Sequence, residues 1–268
     1  MSPLYLFSHI AAPFIVGLLQ IGLAVAIWRK KEGKDASNRL FALVVLSVAG
    51  WAIGTTFWHA YFFVGNLRFA TTLTYFAAGC IPYFFLLFTL NFPSERLRVS
   101  WKDIFLITIP LAIGLSFVLL DSVIRGSQEV VQKDIALIPA KGYLTYSILI
   151  VGYFSLAFRT LLKKFRTTKG LLYTQVQHIF LATFLPTCIG VMTNLILPVS
   201  LSGQYMWLGP VATLLLFILI VRSMRKQRLF DLKIIQHGNR FLALVPQDEA
   251  EKVGFIIGHE PYLVVGSK

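Results

Sequence analysis

Few residues in this chain are placed to do chemistry. Its five histidines, His9, His59, His178, His237 and His259, stand apart from one another, with no HExxH or paired CxxC spacing. No metal or cofactor is therefore expected. A nucleophilic triad needs a carboxylate to orient its base, yet Glu95, Asp103 and Asp121 fall at or beyond the edges of apolar runs. His259 and Glu260 superficially resemble a phosphoacceptor pair, but the flanking Gly258 and Pro261 place them in a loop. No catalytic residue is expected. What remains is neutral hydrogen-bonding and aromatic chemistry. Ser47, Trp51, Thr55, Trp58 and His59 share one broad helical face, Thr71, Tyr75 and Tyr83 a sector of the next run, and Thr183, Thr187 and Asn194 a sector of a later one. Such faces point into a helix bundle, as packing contacts between helices or as the wall of a pocket. In the second reading Trp51, His59, Tyr75, Tyr146, Asn194, Tyr205 and Trp207 are the candidate ligand-binding residues. Trp58, Trp207 and Tyr143 equally suit an interfacial aromatic belt.

The elements that would position these residues follow from composition. The 268 residues are 56% hydrophobic and 14% charged, with a mean hydropathy of +0.71. Soluble domains carry about 25% charged residues, so membrane spans are expected. A span needs about 20 apolar residues to cross about 30 Å of hydrocarbon. Seven stretches qualify, at 9–28, 40–63, 71–92, 104–120, 143–162, 179–199 and 208–224. The fold class expected is an all-α membrane protein, a seven-transmembrane bundle followed by a short mixed or β-containing tail. Gly50 and Gly54 form a GxxxG pair that suits close helix contact. Pro82, Pro110 and Pro186 each remove a backbone hydrogen bond inside a span.

The net charge of +13 comes from 25 basic and 12 acidic residues. Five basic residues between 29 and 39, three between 96 and 102, five between 159 and 169 and four between 222 and 228 lie on one side of the bundle. Only Arg68, Arg125, Lys133 and Lys141 lie on the other. This bias of 17 to 4 puts the N-terminus outside and the C-terminus in the cytoplasm. With no basic patch interleaved with aromatics in a soluble segment, nucleic acid is not an expected partner. The first apolar run ends in Trp28 and Arg29 to Lys31, which reads as a retained span. Cys80 and Cys188 fall inside spans and are expected as buried thiols. The outer connection from 121 to 142 suits a lid or short hairpin. Residues 1–224 are expected to form the membrane domain. Residues 225–268 form a juxtamembrane linker and the start or fragment of a soluble domain, with strand-like runs at 241–245, 253–257 and 262–265.

No span interior carries Asp or Glu, so the bundle is poorly equipped to pump protons or ions. Several short motifs recur in order across the spans. Asn38 and Phe41 lead into span two with Trp51. Phe84, Phe85 and Phe88 precede Asn91, Phe92 and Pro93. Gly142 precedes span five and Gln175 span six, and Asn194 to Pro198 close span six. Gly209 and Pro210 open span seven, and Arg228, Leu229, Phe230 and Asp231 follow it. In these features the chain resembles the N-terminal seven-transmembrane region of prokaryotic histidine kinases, over nearly all of residues 1 to 233.

The resemblance implies a sensor input module of the inner (plasma) membrane, joined to a cytoplasmic kinase or other output in cis or in trans. It leaves the ligand open. The expected partners are membrane lipids, an unidentified small-molecule or lipidic ligand, a second copy in a homodimer, and the output domain. Span seven with Arg222, Arg228 and Asp231 is the expected transmitting linker. A small carrier or channel for a neutral or lipidic molecule is the alternative reading, and a scaffold whose tail recruits a partner is a third.

Overall fold

Without water to satisfy them, backbone N–H and C=O groups in a bilayer must bond within a helix or a closed barrel. Here each long apolar run forms a helix. The computed structural model describes residues 3–29, 36–60, 67–92, 99–120, 123–125, 138–168, 170–200, 205–226, 234–237, 240–244, 256–257 and 260–267. Seven principal helices follow in order: α1 (Leu6–Arg29), α2 (Ala36–His59), α3 (Leu67–Asn91), α4 (Trp101–Leu119), α5 (Tyr143–Thr167), α6 (Gly170–Val191) and α7 (Leu208–Lys226). The first turns of α1, Leu6–Ala11, are π-helical. A second π-helical segment, Met192–Ile196, carries α6 on to Leu197–Ser200. Six helices are long and apolar enough to cross a membrane, while the apolar part of α7, Leu208–Ser223, is shorter.

Several helices outrun their predicted spans. α5 continues to Thr167 and α6 begins at Gly170, because the i to i−4 bonds do not stop where hydropathy falls. Long cationic side chains suit such turns, since their stems can lie on apolar surface while the heads stay polar. The described part of α2 ends at His59, and residues 61–63 of its predicted span lie outside the described residues.

Between membrane helices the hydrophobic effect is weak, so close packing and polar contacts must hold the bundle. The GxxxG pair brings α2 and α3 into close approach. A Cβ on Gly50 would stand 3.2 Å from the Ala77 Cβ, and one on Gly54 would meet Thr74 Oγ1 at 2.7 Å and its backbone N at 2.8 Å. On α1, Gly17 similarly accommodates Ile53. Gln20, wholly buried in α1, donates from Nε2 to the Thr213 carbonyl (3.1 Å) and to Thr213 Oγ1 (3.3 Å), tying α1 to α7.

Toward the ends where α2 begins and α3 finishes, Phe41 and Phe88 pack with centroids 4.9 Å apart, and Phe85 and Phe158 at 5.3 Å. Beside them Asn91 Nδ2 donates to Ser37 Oγ at 3.2 Å. Lys164 Nζ donates to the carbonyls of Thr89, Leu90 and Phe92, where α3 ends. These carbonyls lack intrahelical N–H partners and carry the negative pole of the helix, so a cation suits them.

α4 lies at the periphery. Only Gly114 and Val118 of its residues are buried, and Phe105 is 67% exposed. Two tyrosines hold it: Tyr83 and Thr108 share a hydroxyl bond of 2.8 Å, and the Tyr153 hydroxyl donates to the Ile107 carbonyl near Pro110.

The polar faces largely turn inward. Thr55, His59, Tyr75, Tyr83, Thr183 and Asn194 are buried, whereas Ser47, Thr71 and Thr187 are half-buried. Ser47, Thr55 and Thr183 each donate to the carbonyl four residues back on their own helix. The cysteines differ from expectation. Cys80 is half-buried and Cys188 exposed, both free thiols. Cys188 falls on the outward face of α6 with Phe184 and Leu185, where a weakly polar thiol tolerates an apolar environment.

The ends of the connection after α4 pair as a short antiparallel ladder. Ile124 of β1 (Ile124–Arg125) lies opposite Pro139 of β2 (Ile138–Pro139), and Ala140 N–H donates to the Val123 carbonyl at 3.0 Å. Residues 126–137 lie outside the described residues. After α7, strands β3 (Ile234–His237), β4 (Arg240–Leu244), β5 (Ile256–Ile257) and β6 (Glu260–Ser267) pair antiparallel in the order β3-β4-β6-β5. His259 lies outside the described residues.

Candidate functional site

α2, α3, α5, α6 and α7 line a partly open cavity of about 80 Å³, large against the roughly 10–15 Å³ that admits one water. Four of the predicted site residues border it: Trp51, Tyr75, Tyr146 and Asn194. Much of the remaining wall is apolar, from Val44, Val48, Phe85, Ile150, Phe154 and Leu216, with Thr183 and Thr213 among its hydroxyls. None of the described residues bordering the cavity is acidic or basic.

Two glycines make room for the Trp51 indole. A Cβ on Gly190 would stand 3.1 Å from Trp51 Cη2. One on Gly209 would stand 2.8 Å from the same atom and would collide with Asn194 Nδ2. The Gly209–Pro210 opening of α7 is therefore a packing device that brings α7 against Trp51 and Asn194 together.

Asn194 sits in the π-helical segment of α6, a local geometry that recurs at functional sites. Its Nδ2 donates to Thr193 Oγ1 at 2.8 Å, and Thr193 Oγ1 donates to the Ile189 carbonyl at 2.9 Å. Its Oδ1 is buried without a hydrogen-bond partner among the described residues. Tyr143 fastens the same segment by donating to the Leu195 carbonyl at 2.7 Å. Across the cavity, the Tyr146 hydroxyl donates to the backbone carbonyl of Tyr75, with the two rings edge to face at 5.7 Å. The Tyr75 hydroxyl is buried and has no partner.

His59 and Trp207 belong to a second group. His59, 3% exposed, packs edge-on against Trp58 at 5.1 Å and His9 at 5.0 Å. His9 stacks on Tyr5 at 4.1 Å and approaches Trp207 at 5.4 Å. His9, isolated in sequence, is thus brought to His59 by tertiary packing of the π-helical start of α1. Tyr205 is exposed and does not border the cavity. Arg222 is exposed on α7, and Arg228 and Asp231 lie outside the described residues. Among the described residues no group of three or more His, Cys, Asp or Glu is placed to hold a metal ion.

Sequence reasoning missed Gln20 and Thr213. The signal was available for Gln20, a lone amide in the middle of an apolar run, since such a group must find a partner inside the bundle. Nothing in the sequence marked Thr213 as that partner.

No curated protein and no solved structure matches the chain. A family model described as the N-terminal 7TM region of histidine kinase matches residues 12–233, which take in α1 after its π-helical start and the whole of α2 to α7. With a match over most of its length and a bundle of apolar helices to carry it, the chain belongs to the family of the N-terminal 7TM region of histidine kinase, a multi-pass membrane module.

Proposed function

We propose that this module is the sensor input of a histidine-kinase-type signalling system. It binds a small-molecule or lipidic cue in the cavity and passes the signal along α7 to a cytoplasmic output. The observation that carries this reading is that α7 supplies part of the cavity wall, through Thr213 and Leu216. The same helix runs unbroken to Lys226, about 20 Å further along at 1.5 Å per residue. A cue that favours one position of α7 over another thereby displaces the far end, whereas one that binds both positions equally shifts nothing. The Gln20–Thr213 contact gives α1 a share in the same movement. The charge bias orients the N-terminus outward and the end of α7 into the cytoplasm. The membrane domain comprises residues 1–224, and the segment from 225, with Arg228 and Asp231, joins it to the output. The module works as a homodimer in the inner membrane, and its output is a kinase or another signalling domain in cis or in trans.

The test is cysteine crosslinking between protomers in native membranes, with single cysteines at the outward positions Ile218 and Arg222 of α7. Cys80 and Cys188 are first replaced by Ala, since Cys188 is itself exposed. A cue that alters signalling is expected to change the crosslinking yield along α7. Unchanged yields for every such cue refute transmission through α7.

A further inference from the structure

From the hydrogen-bonding state of the cavity wall, and resting on the sensor reading above, we infer the chemical class of the cue: an uncharged, largely apolar molecule with a hydroxyl or primary amide at one end. The argument begins with the orientation of the Asn194 amide. Thr193 Oγ1 spends its only proton on the Ile189 carbonyl, so toward Asn194 it can only accept. The atom facing it must therefore be Nδ2, and the atom left over is Oδ1, a buried acceptor without a protein partner. Most of the other cavity hydroxyls are spoken for in the same sense. Thr74, Thr183 and Thr213 donate to the carbonyls of Ala70, Ile179 and Pro210, and Tyr146 to that of Tyr75. Each retains only acceptor capacity. The Tyr75 hydroxyl is buried with no partner among the described residues for either its proton or its lone pairs.

Against such a wall a ligand gains most by donating a proton to Asn194 or by exchanging hydrogen bonds with Tyr75. A hydroxyl or primary amide does both. An ether or hydrocarbon satisfies fewer of these groups. A carboxylate or an ammonium would be buried without a counter-charge, since no acidic or basic residue borders the cavity. The rest of the molecule meets Val44, Val48, Ile150, Phe154 and Leu216, which suits an alkyl body.

The test uses the purified full chain in lipid nanodiscs and diazirine-bearing ten-carbon probes ending in hydroxyl, methyl ether, carboxylate or ammonium. Labelled peptides are mapped by mass spectrometry, and competition with unlabelled 1-decanol measures saturability. The expected result is saturable labelling of cavity residues by the alcohol, at least tenfold weaker for the other three ends. Tyr75→Phe removes only an unpartnered hydroxyl, so the bundle keeps its stability while alcohol affinity falls about tenfold. Asn194→Leu is expected to act likewise, with circular dichroism of both variants reporting that they are folded. Equal labelling by all four ends, labelling confined to outward residues such as Phe105 and Ile148, or an alcohol affinity unchanged in a folded Tyr75→Phe variant would overturn the assignment. The two readings fail differently. Saturable alcohol binding that leaves α7 crosslinking unchanged supports the ligand class and defeats the sensor. A charged cue that shifts α7 while 1-decanol does not bind defeats the ligand class and leaves the sensor standing.

Discussion

Gly54→Ala tests whether the α2–α3 seam is set by backbone contact. The new Cβ would stand 2.7 Å from Thr74 Oγ1, 2.8 Å from Thr74 N and 2.9 Å from Thr74 Cα. Ordinary carbon contacts begin near about 3.5 Å, so the helices must separate by about 0.6 Å or deform. Two of the three opposing atoms are backbone, and no rotamer change moves them. Overpacking of this kind costs about 1–3 kcal/mol, and replacing Gly by Ala in a helix returns up to about 1 kcal/mol. Measured against Gly→Ala changes that share this return, the loss is about 1–3 kcal/mol. Gly22→Ala and Gly152→Ala are internal controls, because a Cβ at either position meets nothing within 4 Å. They are expected to be neutral or slightly stabilising. Reversible unfolding by SDS in mixed micelles, followed by circular dichroism, measures all three. Thr74→Ala in the Gly54→Ala background removes the Oγ1 contact but leaves both backbone contacts, so it recovers only a minor part of the loss. A Gly54→Ala variant as stable as the two controls, or full rescue by Thr74→Ala, would refute the backbone-limited seam.

Three further outcomes are expected. Gly209→Ala presses on Trp51 and Asn194 together, so it should cost about 1–3 kcal/mol and alter the tryptophan emission assigned to Trp51 by comparison with Trp51→Phe; an unchanged spectrum would contradict the contact. Lys164→Met keeps the aliphatic stem but leaves the carbonyls of Thr89, Leu90 and Phe92 without their cation. The expected loss is about 1–2 kcal/mol, read by the same unfolding assay and by faster hydrogen exchange at the end of α3. Gln20→Leu removes the contact with Thr213 but also an unpartnered buried oxygen, Oε1. Its effect on stability should stay within about 1 kcal/mol, while crosslinking along α7 reports whether the α1–α7 tie matters for movement.

Composition and spacing alone were enough for the seven apolar helices, the inward turning of most polar faces and the glycine pair at the α2–α3 seam, though α7 is shorter than the other six. Each follows from a local rule: apolar length against bilayer thickness, 3.6-residue periodicity, and the absence of a Cβ. Hydropathy could not mark the helix ends, because backbone bonds run on through a charged turn at the end of α5 and a polar one at the start of α6. It also could not divide the seven candidate residues into two groups. Trp51 and His59 lie two turns apart on one face of α2, yet Trp51 faces Gly190 and Gly209 beside the cavity whereas His59 meets His9 from the start of α1. Only tertiary packing decided that, since which helix stands opposite a given turn depends on how all seven are arranged. The same holds for the cavity chemistry. Asn194 and Tyr75 announce themselves in sequence as buried polar groups, but which atom of Asn194 lacks a partner rests on Thr193 beside it in the π-helical segment and on the Ile189 carbonyl one turn earlier in α6. Hydropathy and spacing do not encode that geometry.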